Sequence, residues 1–150
     1  MWKLSIDDRL AYWKKFRQNL NSLSLDEALK ETAELWTTSP CSPYYLDLDN
    51  PKNWPNPWEL LTENHYCDIA RCLGIVYTIY FTNHCKNIDL EIRIYQDIDA
   101  CRLYSLVWVN QGKYILNWST EEIVNTNTIE EKQLQLLYQY SSTDLVLEKY

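Results

Sequence analysis

Glycine is almost absent. The 150 residues contain only Gly74 and Gly112. No Gly-rich phosphate loop can be built from two glycines, so the Rossmann and Walker fingerprints are both excluded. Histidine is equally scarce, and any imidazole chemistry would have to use His65 or His84. Basic residues are outnumbered, 14 Lys and Arg against 21 Asp and Glu, leaving a net charge of −7 and a pI near 4.8. That balance counts against a nucleic-acid partner, whose phosphates need clustered cations. No apolar run is long. Cys72 to Phe81 is the longest, well short of the roughly 20 residues of a membrane span, so no membrane partner is expected. The start, Met1-Trp2-Lys3-Leu4-Ser5-Ile6-Asp7-Asp8-Arg9, lacks an apolar centre and does not read as a signal peptide.

What is present is a globular composition, 46% hydrophobic and 23% charged. It predicts one domain over residues 1–150, with a helical hairpin (1–37), a Pro-rich strap (38–57), and a helix followed by an antiparallel sheet (58–150). Seven Trp and 12 Tyr stand against two Phe. Nearly every aromatic thus carries an N–H or O–H, the profile of interface anchors as well as of core edges. Trp2, Tyr44, Tyr45, Trp54, Trp58 and Trp118 are the expected interface residues. Five cysteines, an odd number, read as free thiols in a reducing cytoplasm.

Ile6, Leu10, Trp13, Arg17 and Leu20 recur at helical spacing behind Ser5 and Asp8. Ser24 and Glu27 form a capping box for a second helix, with Leu25, Ala28, Leu29, Ala33 and Trp36 on its apolar face. All five prolines fall between Pro40 and Pro57, which predicts an ordered strap pinned by Trp54 and Tyr45. Asn56-Pro57-Trp58-Glu59 opens a helix that either runs to Leu73, with Gly74 as its stop, or breaks near Asn64. Ile75 to Phe81 reads as a buried strand. Ile88 to Tyr95 alternates as a half-buried strand, and Asn110-Gln111-Gly112 turns a hairpin between Leu103–Val109 and Lys113–Trp118. A short helix is predicted near Glu130–Tyr138, and Asp144–Leu147 forms a last strand or a frayed end. The fold class is α+β.

His65, Cys67, Cys72, His84 and Cys85 are soft ligands within a short span, but no C-x-x-C occurs and Cys67 and Cys72 face different sides of a helix. No metal and no cofactor is expected. Cys67 is the best candidate thiol nucleophile. A helix break near Asn64 would put it in a first turn, where the helix dipole favours a thiolate. Its base would have to be His84 or His65.

The run Cys67-Asp68-Ile69-Ala70-Arg71-Cys72-Leu73-Gly74-Ile75, followed by the hairpin Leu106 to Asn117, resembles the transglutaminase-like branch of the papain-like cysteine fold. In that family a His begins the first hairpin strand and an Asp ends the second. Here Leu103, Tyr104 and Ser105 occupy the first place and Asn117 stands near the second, which implies a degenerate site. A second resemblance, carried by Asn53-Trp54-Pro55-Asn56-Pro57-Trp58-Glu59, Tyr66 to Arg71, Tyr77 to Tyr80 and Lys113 to Asn117, is to small proteins of contractile-tailed cyanophages and related marine phages. It implies a virion structural or assembly protein without enzymatic activity. Such a protein would be assembled in the host cytoplasm and bind other phage structural proteins or itself. The alternatives are a cysteine enzyme acting on amides through Cys67 and His84, and an intracellular phage factor that binds a host protein.

Overall fold

A computed structural model describes residues 1–42, 46–119 and 123–145. Among these residues five α-helices and four strands follow one another as α1 (Ile6–Leu20), α2 (Leu25–Thr37), α3 (Pro57–Glu63), α4 (Asp68–Tyr80), β1 (Leu90–Asp97), β2 (Arg102–Val109), β3 (Tyr114–Leu116), α5 (Thr126–Glu130) and β4 (Leu134–Ser141). The strands form one antiparallel sheet in the order β3-β2-β1-β4. The α+β class and the helices-then-sheet order are those predicted. No helix among the described residues is long and apolar enough to cross a membrane.

The first two helices start where their caps place them. Ser5 accepts from the Asp8 N–H, and Ser24 and Glu27 complete a reciprocal box. Asn56, Pro57 and Glu59 open α3 in the same way. This helix ends at Glu63, because Asn64 turns left-handed at φ 55°. The chain therefore breaks before Cys67, and the continuous helix to Leu73 does not form.

Three expectations are corrected. Ile75 to Tyr80 is the second half of α4, not a strand. Every residue from Cys72 to Ile79 is buried, so the helix shows no polar face and its β-branched residues mimic a strand. Gly74 does not stop this helix; it lies inside it, and an added Cβ would collide with the Trp36 ring. The expected helix at Glu130–Tyr138 is mostly β4, with α5 lying just before it. A register shift opposite Ile94 and Tyr95 breaks the alternation of β4, and its outer edge stays partly exposed. Of the expected last strand, Asp144 and Leu145 form a turn; the rest lies outside the described residues.

The core sits where α4 packs against α2 and the sheet. At its centre one hydroxyl serves two indoles. The Trp13 and Trp36 Nε1–H groups both donate to Thr78 Oγ1, at 3.0 and 2.9 Å, and that hydroxyl donates to the Gly74 carbonyl at 2.6 Å. Arg71 holds the other end of the helix to the end of α2 through the Ser39 hydroxyl and carbonyl. These contacts fix the axis of α4, and so the position of its first residue.

Candidate active site

The first turn of α4 carries the site. Its N-cap is Cys67, in extended backbone conformation, and the thiol makes no capping hydrogen bond. The first helical bond runs from the Arg71 N–H to the Cys67 carbonyl at 3.0 Å. The N–H groups of Asp68, Ile69 and Ala70 therefore start the helix without partners inside it. Such an end favours an anion.

Cys67 lines a cavity of about 280 Å³ with Leu46, Leu48, Asp68, Ile69, Leu103 and Ser105. A smaller pocket of about 100 Å³ adjoins it, sharing Asp68, Leu103 and Ser105 and reaching Arg71, Arg102, Asn117 and Trp118. The two strands of the hairpin bring their ends here. Asn117, left-handed at φ 67°, closes β3 and donates from Nδ2 to the Ser105 carbonyl at 3.0 Å, with Cys72 Sγ at 3.4 Å. Cys67, Ser105 and Asn117 stand on the helix start and the two hairpin strands, the elements on which the transglutaminase-like resemblance places a thiol, a His and an Asp. Burial pushes the neighbouring Cys72 thiol far up, with the Asp68 carboxylate adding to the effect, so Cys72 stays protonated.

The imidazoles are elsewhere. His84 follows the C-terminal end of α4, about 20 Å along the helix from Cys67 at 1.5 Å per residue. Its Nε2 lies 2.9 Å from the Leu20 carbonyl. His84 is therefore not the base for Cys67. His65 is exposed and does not line the cavity. Among the described residues no group of three or more His, Cys, Asp or Glu could hold a metal ion.

The chain shares the fold of LapG. The calcium-bound LapG of Legionella pneumophila superposes with a TM-score of 0.70 at 11% identity, over 93% of this chain and 78% of LapG. A second LapG structure gives 0.64 at 12% identity over 91% and 76%, and EGTA-treated LapG gives 0.63 at 12% over 91% and 74%. No protein-family model and no curated protein sequence matches the chain. The LapG fold is transglutaminase-like, and the likeness shows that fold here. The expectation of a protein that is not an enzyme is corrected by this likeness to LapG. Nothing in these comparisons supports a phage structural role directly.

The expected interface aromatics are placed as follows. Trp54 is buried, donating to the Asp47 carbonyl at 2.7 Å and meeting Tyr140 edge-on. Trp2 packs on Trp36 and Tyr66, and Trp118 stacks on Tyr104 at 4.8 Å. Trp58 is 44% exposed. Tyr44 and Tyr45 lie outside the described residues. Sequence reasoning passed over Leu46 and Leu48 as parts of the site, since nothing in their spacing connects them to Cys67.

Proposed function

We propose that the chain is a transglutaminase-like cysteine enzyme in which Cys67 attacks the carbonyl carbon of an acyl substrate. The supporting observation is the placement of this thiol at an uncapped helix N-terminus on the wall of a cavity closed by the hairpin. The thiolate is the reacting form. Attack forms an Sγ–C bond and moves the carbonyl electrons onto oxygen. The N–H groups of the first turn of α4, without partners inside the helix, are the donors offered to that developing charge, and a donor of this kind is typically worth about 3–4 kcal/mol. Collapse breaks the bond to the leaving group. Water then attacks the Cys67 thioester, releasing the acid and returning the thiol.

The missing imidazole selects the leaving group. An amide nitrogen must take up a proton to depart, and no histidine lines this cavity to give one. A thiolate or phenolate leaves unprotonated. The substrate class is therefore a thioester or activated ester. The test is hydrolysis of an acyl thioester by the full chain. Turnover is expected to fall to the buffer rate in Cys67→Ala and to persist in His65→Ala and His84→Ala. Turnover that survives Cys67→Ala would refute the reading.

A further inference from the structure

The cavity beside Cys67 is walled by the Pro-rich strap, and the strap is held there by side chains from two other parts of the fold and by one of its own. Tyr140 on β4 donates its hydroxyl to the Leu48 carbonyl at 2.6 Å. Tyr77 on α4 donates to the Pro55 carbonyl at 2.8 Å. Trp54 turns back to the Asp47 carbonyl while its ring meets that of Tyr140 at 5.1 Å. At the start of the strap, Cys41 bridges to Tyr66, the residue before Cys67. Asp47, between the two leucines, is exposed, so its neighbours Leu46 and Leu48 are the half-buried pair that reaches the cavity. Leu103 and Ile69 complete the apolar wall. Four aliphatic side chains around a thiol are more than a backbone connector requires.

We infer that this cavity is the acyl pocket of the site and that it takes an aliphatic chain joined to the reacting carbonyl. The inference rests on Cys67 acting as the nucleophile. At about 280 Å³ the cavity lies just below the range of whole-ligand pockets, roughly 300–1,000 Å³, so it suits one short chain or one branched side chain. The Asp68 carboxylate on its wall disfavours an acidic acyl group such as succinyl.

The experiment measures kcat/KM for acetyl, butanoyl, hexanoyl and succinyl thioesters of one common thiol, with the Cys67 adduct followed by intact mass. Each buried methylene is expected to raise kcat/KM about fourfold until the cavity fills. Hexanoyl, four methylenes longer, then exceeds acetyl by about two orders of magnitude, and succinyl falls below butanoyl. Leu48→Trp, which fills the cavity, lowers the hexanoyl-to-acetyl ratio towards one. Leu103→Trp, made at a 44% exposed position, does the same if the first variant fails to fold. The ratio is the readout because a general loss of structure lowers both rates together. Equal rates for every chain length, with Cys67 still acylated, would overturn the acyl pocket and leave the nucleophile standing. Failure of every thioester, acetyl included, to acylate Cys67 would overturn the nucleophile itself.

Discussion

Thr78→Val removes one oxygen atom and leaves two indoles without an acceptor. In the folded chain Trp13 and Trp36 both donate to Thr78 Oγ1, and both rings are 1% exposed, so water cannot replace the lost partner. A buried donor left unsatisfied costs about 1–3 kcal/mol, which sets the gross loss for two at about 2–6 kcal/mol. Burying a methyl in place of the hydroxyl returns about 1 kcal/mol. The expected net cost is about 3 kcal/mol, or roughly 6–12 °C in Tm for a chain of this length. Thr78→Ser keeps the hydroxyl and loses only the methyl, so it should cost about 1 kcal/mol. The assay is urea denaturation of the wild type and both variants, followed by Trp fluorescence. A Val variant as stable as the Ser variant would refute the shared acceptor and, with it, the seating of α4 that positions Cys67.

Three further outcomes are expected. Tyr66 is fully buried, and its hydroxyl has no hydrogen-bond partner among the described residues. Tyr66→Phe should therefore stabilise the fold by about 1 kcal/mol in denaturant titration. Burial also raises the Tyr66 phenol well above the ordinary value of 10.0, so its contribution is intact below that pH and is lost as pH climbs from there towards the folded value. The advantage of Phe should then widen in alkali, and a constant difference across that range would count against it. Cys72, 0% exposed and kept protonated, should resist iodoacetamide in the native protein, while Cys67, buried to 6% exposure but on the cavity wall, is labelled. Peptide mapping that finds Cys72 labelled first would contradict the packing of α4. Ser105→His should set an imidazole between Cys67 and Asn117 and raise amide hydrolysis by about 10²–10⁴-fold, as a general acid–base does. No gain in a folded variant would show that the three positions are not aligned.

The parts of the fold that were legible in the sequence are those written by local rules. Ser5, Ser24 and the Asn56-Pro57-Glu59 group each bond to backbone within three residues, and each helix begins there. Leu90, Ile92 and Ile94 alternate because one face of β1 is buried. Illegible features depend on distant partners. The second half of α4 is surrounded on all sides, so its pattern carries no helical period. In β4 the bulge shifts the alternation by one residue. Cys67 was named as a candidate thiol, and the family pattern pointed to the stretch Leu103–Ser105 and to Asn117 without singling out Ser105. Cys67 as an N-cap was not legible, because a thiol is not among the usual capping groups. Leu46 and Leu48 reach Cys67 only through Tyr140, Tyr77 and Trp54, contacts that no spacing in the chain announces.

The most direct measurement is the intact mass of the protein after brief exposure to excess hexanoyl thioester, with peptide mapping of the adduct. One acyl group per chain on Cys67, absent from Cys67→Ser, is the expected result. An unmodified chain, or an adduct spread over the exposed Cys41 and Cys101, would contradict the assignment of Cys67 as the nucleophile.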